Sequence, residues 1–437
     1  MPANNNLFQR NANISMIAQL IWRQNGLSRV DISRQLKLNK STVSNIISAL
    51  LSAGLVNEGE HKDSCALGGR KPIELTINKN FGCVFGFDLQ PSHYRSVIVS
   101  VDGSILWENK GTKKQLSFEN FITSVIDEAF EAHRKINIPV LALSFSLPGQ
   151  INSEKGIIDY SYPFRLSDYN FRGFVKSRYN FPVYLDNDAN CAAYLDLHST
   201  LGQNFSSDSL SVVADFHEEA KKNDYVAGIG TGMGVIIDGK VYKGAHNSAG
   251  EFCSLSWSSK DSNQSGLSLE TLKKTIDDKE SLRLWIKDTF LSLVPLCSVM
   301  DFSKVILHGN PFSDEEWVKK VLEDEVPSFI GILKKTNCDL LFNSGDELVS
   351  AKGAALMYLH DLYSIPDLEN NSNEKWSWDE VMEFSQKQRR EGSILVTCSS
   401  RFFNLRVCNG LSYDICSFFE YYKLQGRSII WTKKKAF

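Results

Sequence analysis

Residues 28–54 read SRVDISRQLKLNKSTVSNIISALLSAG, and their rhythm decides the front of the molecule. Ser28 can cap a short helix carrying Val30, Ile32 and Leu36, and the turn Lys37-Leu38-Asn39 leads to a longer helix from about Lys40 to Ala53. Val43, Ile46, Ile47, Leu50 and Leu51 recur on one side of that helix, and Gly54 ends it as a C′ glycine. Upstream, Ile14, Ile17, Ala18 and Ile21 predict another helix, closed by Asn25-Gly26. Downstream, Leu55-Val56-Asn57-Glu58 starts a strand, residues 61–69 make a loop, and Ile73-Glu74-Leu75-Thr76-Ile77 pairs back. Helix, short helix, helix and hairpin make a winged helix-turn-helix.

The polar side of the third helix offers Lys40, Ser41, Thr42, Ser44 and Asn45. Short hydroxyls and amides near a helix N-terminus can bond base edges and phosphates without holding the backbone away from a major groove. The run Gly68-Gly69-Arg70-Lys71-Pro72 falls on the wing, where Arg70 could enter a narrow minor groove with Lys71 beside it. A solvated helix face and a basic hairpin would explain either feature taken alone. Charge joins them: residues 1–80 carry ten Lys/Arg against five Asp/Glu, whereas the rest carries 38 against 46. The chain's net charge of −3 averages a basic head and an acidic body.

The remainder of the 437 residues alternates strands and helices. Residues 83–89 and 96–101 read as strands, Asp102-Gly103 as a hairpin turn, residues 118–135 as a helix, and Val140 to Phe145 as a buried strand. That order predicts an α/β body. No apolar run approaches the roughly 20 residues of a membrane-spanning helix, and the N-terminus has no signal-like apolar stretch, so a cytoplasmic protein without membrane contact is expected. The nine cysteines are scattered with no CxxC pair, which predicts free buried thiols.

Several motifs together resemble the ROK family of repressors, open reading frames and sugar kinases, in its winged-helix repressor branch, which includes repressors of xylose and N-acetylglucosamine operons. They are the wing run, Pro148-Gly149, Asn187-Asp188-Ala189-Asn190, the glycine-rich residues 228–234, Ala249-Gly250-Glu251 and Gly353-Ala354-Ala355, spread from about residue 10 to 360. The resemblance implies a winged helix-turn-helix at 1–80, a two-lobed actin-like (ribonuclease H-like) sensing domain at 81–365, and a tail at 366–437 that has no counterpart in it. It also implies sugar contacts at Asn187, Asp188, Glu251 and Glu270. In the family's kinases the aspartate matching Asp188 acts as general base, so Asp188 would be catalytic only if this were a kinase. Glu270 reads equally well as surface charge. The glycines at 228–234 read either as a phosphate cradle or as a tight turn, between strands ending at Val226-Ala227 and starting at Val235.

The departures matter as much. The family's phosphate loop should read Gly-x-Asp-x-Gly-Gly-Thr, but this chain has Gln90 and Pro91 where glycines belong. Pro91 supplies no N–H and Gln90 puts a side chain where phosphates would lie, so no ATP is expected and a non-catalytic homologue is predicted. The family's zinc-binding histidine is replaced by Ser254, and its cysteine places hold Asp261, Asn263 and Ser268, so no metal or other cofactor is expected. His308 stands where the family has a glycine and reads as structural. The expected function is a transcriptional regulator, a repressor of sugar genes, whose partners are a double-stranded DNA operator, a sugar-type effector and a second copy in a homodimer or higher homo-oligomer. The alternatives are an ATP-dependent sugar kinase and a regulator that answers a protein at its tail.

Overall fold

The computed structural model of the chain describes residues 2–61, 73–113, 116–199, 208–217, 228–258, 263–365, 377–391, 397–398 and 401–402. The head consists of α1 (Pro2–Arg23), α2 (Arg29–Leu36), α3 (Lys40–Ala53) and the antiparallel strands β1 (Val56–His61) and β2 (Ile73–Ile77). Ser28 Oγ accepts the Asp31 N–H at 3.2 Å while the Asp31 carboxylate accepts the Ser28 N–H at 3.1 Å, a reciprocal cap that fixes the start of α2. Lys37 turns through φ 53° between α2 and α3, and Gly54 at φ 80° closes α3 with its N–H on the Leu50 and Leu51 carbonyls. Ile32, Val43, Ile47 and Leu50 are buried against Ile14, Ile17 and Ile21 of α1, so the helical apolar pattern is the head's core. The wing segment with Arg70 and Lys71 lies outside the described residues.

The body repeats one sheet plan. Lobe I has the strands β3 (Cys83–Leu89), β4 (His93–Ser100), β5 (Ile105–Thr112), β6 (Val140–Leu147) and, after the small sheet β7 (Gln150–Asn152), β8 (Ile157–Ser161) and β9 (Leu166–Tyr169), β10 (Val183–Asn187). Its order is β10-β6-β3-β4-β5, with β3, β4 and β5 antiparallel and β6 and β10 parallel to β3. Lobe II uses β11 (Ser209–Phe216), β12 (Ile229–Ile237), β13 (Lys240–Tyr242), β14 (Lys304–His308) and β15 (Asp339–Phe342) in the matching order β13-β12-β11-β14-β15. Strands β3 and β6 are buried along their whole length, which is why both read as near-continuous apolar runs.

Helices α4 (Phe118–Ile136) and α5 (Phe171–Lys176) belong to lobe I, while α7 (Leu269–Lys274), α8 (Lys279–Met300), α9 (Glu315–Glu325) and α10 (Pro327–Thr336) belong to lobe II. Two helices exchange lobes. Helix α6 (Asp188–Ser199) leaves β10 and packs on β11 and β12, and α11 (Val349–Tyr363) follows lobe II but packs on β3 and β6. The pair crosses at Gly353, where an added Cβ would lie 1.7 Å from the Cys191 carbonyl oxygen. The glycine-alanine run 353–355 is therefore a packing device for this crossing.

Two sequence expectations are corrected. Residues 229–237 form one strand, not the tight turn that one reading placed there; Val226 and Ala227 lie outside the described residues. Its glycines alternate along β12, and a Cβ on Gly234 would lie 2.4 Å from the Ala189 carbonyl oxygen while one on Gly232 would lie 3.0 Å from Ala189 Cβ. They admit the first turn of α6 against the sheet. Cys83, Cys191, Cys297 and Cys338 are free and buried as expected, but Cys253 is exposed because Phe252 and Ser254 on either side turn inward.

Helix α12 (Trp378–Glu391) is the last helix among the described residues, and the compact unit that holds head and lobes runs from Met1 to Arg390. In residues 391–437, β16 (Thr397–Cys398) pairs antiparallel with β17 (Arg401–Phe402). Among the described residues, no helix is long and apolar enough to cross a membrane.

Candidate functional site

Strand β10 runs straight into α6 with no intervening turn, and this junction places Asn187 and Asp188. Asn187 is spent on holding the junction: its Nδ2 donates to the Gly149 carbonyl at 2.9 Å and its Oδ1 accepts the Ala189 N–H at 2.9 Å. It positions Asp188, whose own Oδ1 also accepts the Ala189 N–H. Asp188 Oδ2 takes the amide of Gln90 at 3.4 Å, and that same Nε2 donates to Asp88 Oδ1 at 3.1 Å. Gln90 thus bridges two carboxylates from the turn where the family carries glycine. Burial pushes the Asp188 carboxyl up to about 7, helped by the neighbouring Asp88 and Asp215.

Asp88 has its oxygens engaged. Oδ1 accepts from Gln90 and from Ser146 Oγ at 3.0 Å, and Oδ2 faces Arg95 Nη1 at 2.9 Å. A carboxylate surrounded by N–H, O–H and a guanidinium is poorly set to hold a metal-bound nucleotide. Across the cleft, lobe II contributes Asp215, raised by burial against the pull of Arg95, and a small cavity runs from Arg95 past Asp215, Asn310 and Ser350.

Lys243, after β13, reaches from lobe II into lobe I, with its ammonium 2.6 Å from Asp186 Oδ2 and 2.7 Å from Ser153 Oγ. Burial opposes the ammonium, but Asp186 outweighs it and the lysine is held charged, its pKa raised. Asn190, two residues along α6 from Asp188, donates to Asp186 Oδ1 at 2.9 Å. Glu251 enters the same region through its backbone, bridged to Gly232, whose position also faces Asp188 Oδ1. Burial raises the Glu251 carboxyl.

The structure does not group Glu270 with these residues. It is exposed on the first turn of α7 and ion-paired at 2.7 Å with Lys274, which lowers its pKa, as the surface-charge reading anticipated. His308 is buried, with Nε2 2.8 Å from Asp196 Oδ2, and Asp196 also accepts from Ser211 Oγ at 2.5 Å. It ties α6 to lobe II. Ser254 takes part in another polar node: it bonds Ser256 at 2.9 Å, and Ser256 and Ser265 each donate to Asp288 of α8 at 2.6 Å. Of the positions matched to the zinc ligands, Asn263 Oδ1 accepts the Ser265 N–H at 2.7 Å, and Asp261 lies outside the described residues. Ser268 caps α7, accepting the Thr271 N–H at 3.1 Å.

On the head, Lys40, Ser41 and Asn45 are exposed and Thr42 and Ser44 half-buried, with Ser48 continuing the exposed row. Sequence reasoning missed Arg95, Asp186, Asp215 and Lys243. Arg95 carried a signal, since the short turn at 90–92 sets it directly opposite Asp88 in the hairpin. Lys243 carried none, because its partner is on a distant strand of the other lobe.

The ROK family model matches residues 84–256, which span the carboxylate junction, Lys243 and Glu251. Residues 84–256 form a ROK-family domain. The chain is also similar to the xylose repressor of Staphylococcus xylosus, 30% identical over 251 residues, covering 56% of this chain and 61% of that protein. The xylose repressor of Caldicellulosiruptor bescii is 28% identical over 254 residues, covering 56% of this chain and 59% of that protein. This chain therefore aligns with about three fifths of the length of these relatives. The crystal structure of a ROK family transcriptional regulator, a homologue of the E. coli MLC protein, superposes with a TM-score of 0.60 at 16% identity, covering 80% of this chain and 96% of that one. At that identity the likeness shows the fold alone.

Proposed function

We propose that this chain is a DNA-binding transcriptional regulator, a repressor of sugar metabolism or transport genes, whose ROK body senses a sugar-type effector without catalysing its phosphorylation. The observation that carries it is the pairing of an exposed polar face on α3 with a cleft whose carboxylates Asp88 and Asp188 are bridged by Gln90. Relatives named as xylose repressors support the same reading. Lys40, Ser41, Thr42, Ser44 and Asn45 would meet the operator, with Arg70 and Lys71 on the wing, and two heads of a homodimer would read two half-sites. Asp188 and Glu251 would accept sugar hydroxyls, Asn187 would hold them in place, and no ATP or metal would be needed. Such a protein works in the cytoplasm.

Fluorescence anisotropy against genomic operator fragments should show sequence-selective binding that weakens steeply with salt, and Asn45→Ala should relax that selectivity. A thermal-shift screen over pentoses and hexoses should find a stabilising sugar whose effect is lost in Asp188→Asn and Glu251→Gln. Failure of selective DNA binding would remove the proposal. A second reading, a sugar kinase, draws on the near-neutral Asp188, which suits a general base. Sugar-dependent ADP release that disappears in Asp188→Asn would establish it instead.

A further inference from the structure

The cavity that begins at Arg95 and Asp215 has a wall that the function proposed above does not use. His308, the last residue of β14, lines it. One ring nitrogen is committed, since Nε2 meets Asp196 Oδ2 at 2.8 Å. A carboxylate only accepts, so Nε2 carries the proton and, in the neutral ring, Nδ1 is an acceptor. The residue is 1% exposed, and Nδ1 is buried with no hydrogen-bond partner among the described residues. An acceptor stripped of water and left unpaired costs about 1–3 kcal/mol, a cost that a ligand carrying a donor removes.

The charges around the cavity are balanced unequally. Asp346 takes Lys352 at 2.8 Å, Glu347 takes Lys110 at 2.6 Å, and Asp88 takes Arg95 at 2.9 Å. Asp215 makes no such ion pair among the described residues, and burial raises its pKa more than Arg95, His217 and the Asn310 N–H lower it. The sheet sets this carboxylate beside the histidine. Val213 lies opposite His308 in the parallel register of β11 and β14, and Asp215 follows two residues on, so the three side chains share one face of lobe II. A Cβ on Gly309 would lie 3.2 Å from Asp215 Oδ1, which places that oxygen over the end of β14.

Two acceptors of different kinds, one charged and one neutral, therefore stand at one small cavity. An anion would meet Asp215, Asp346 and Glu347 there. A neutral hydroxyl would satisfy Nδ1 but leave Asp215 without a cation. An ammonium has both the charge and enough N–H donors for the pair. Val213 and Val349, also on the lining, offer apolar surface to a short hydrocarbon stem. We propose that this cavity binds a primary alkylammonium, whose –NH3+ donates to His308 Nδ1 and to the Asp215 carboxylate while its stem lies against Val213 and Val349. The site does not depend on the reading of the chain as a sugar-responsive regulator.

The probe is n-propylammonium chloride added to the full chain, with tetramethylammonium chloride at equal ionic strength as a cation that has no N–H. Propylammonium should bind saturably by calorimetry and move the 15N resonance of His308 Nδ1, and tetramethylammonium should do neither. His308→Gln keeps an N–H toward Asp196 and removes the Nδ1 acceptor, whereas Asp215→Asn removes the charge and leaves His308 in place. Each should weaken propylammonium binding by at least about tenfold, the loss of one hydrogen bond to a charged group. Glu316→Gln, exposed on α9, should keep the wild-type affinity. Equal binding of tetramethylammonium, or equal weakening in Glu316→Gln, would reduce the effect to general charge attraction and overturn the site. An Nδ1 resonance that propylammonium leaves in place throughout the millimolar range would overturn it too, as would wild-type amine affinity in Asp215→Asn. Pyrophosphate binding that strengthens in Asp215→Asn would make the cavity an anion site instead. Absence of DNA binding or of a sugar response in the wild type would overturn the functional reading and leave the amine result standing.

Discussion

Gln90 shows how one side chain changes what a site can do. Its amide spans Asp88 and Asp188, two neighbouring carboxyl groups at the edge of lobe I that would otherwise repel. Asp188 has a folded-state pKa of about 7, above its unfolded value, so it contributes stability that is present at low pH and lost as pH rises through 7. Asp188→Asn should therefore gain about 3 kcal/mol relative to wild type on going from pH 5 to pH 8 in urea titrations. The glycines of β12 make a second prediction at this scale. Gly234→Ala places a methyl carbon 2.4 Å from the Ala189 carbonyl and 2.6 Å from Ala193 Cβ, and should cost about 1–3 kcal/mol. Gly331→Ala, exposed in α10 with nothing within 4 Å, should instead stabilise by up to ~1 kcal/mol. Unfolding curves of the two variants should thus move in opposite directions. From sequence, the 228–234 run reads as a loop because its glycines suggest backbone freedom. Only the packed α6 reveals that they were selecting against side chains.

At the level of elements, the helices of the head were legible because their apolar period is local and their caps are local. Ser28, Gly54 and the 3.6-residue spacing are all read within a dozen residues. The exchange of α6 and α11 between lobes was not legible, since it depends on contacts between segments far apart in the chain. The junction where α1, α6, α11 and α12 meet is also invisible in sequence, and it makes a pH prediction. Burial lowers His198 to about 4 and His360 to about 3, with Asp102 facing His198 and Arg23 facing His360. Their folded values lie below the unfolded one, so the unfolded chain takes up protons first and stability falls as pH drops below about 6.5. Each histidine should cost about 2 kcal/mol at pH 5. Replacing His198 with Gln should flatten the dependence of unfolding midpoint on pH between 7 and 5.

At the scale of the whole molecule, polar ties among the described residues join the two lobes. Lys243 and Asp186 join lobe II to lobe I, and Gln150 adds a bond to the His246 carbonyl at 3.2 Å. Lys243→Met leaves Asp186 buried without its cation and should cost about 3 kcal/mol, whereas pairing it with Asp186→Asn should recover much of the loss. Effector affinity measured by calorimetry should fall in the single variant through altered lobe closure. The carboxylate junction was readable because Asn187-Asp188 sits where a strand ends and a helix starts. The lobe-spanning pair was not, because neither residue has a local pattern.

The bond between Arg10 and Asp379 joins residues 369 positions apart, and Trp378 closes over Ser15 from nearly as far. A chain leaving the ribosome N-terminus first will have made its head long before that closure is available. During synthesis the head gains its Trp22 contacts to His198 and Tyr363 first, and its ties to α12 only once residues 378–391 have emerged. A chain cut short before residue 378 would therefore present a head without the Arg10–Asp379 and Trp378–Ser15 ties.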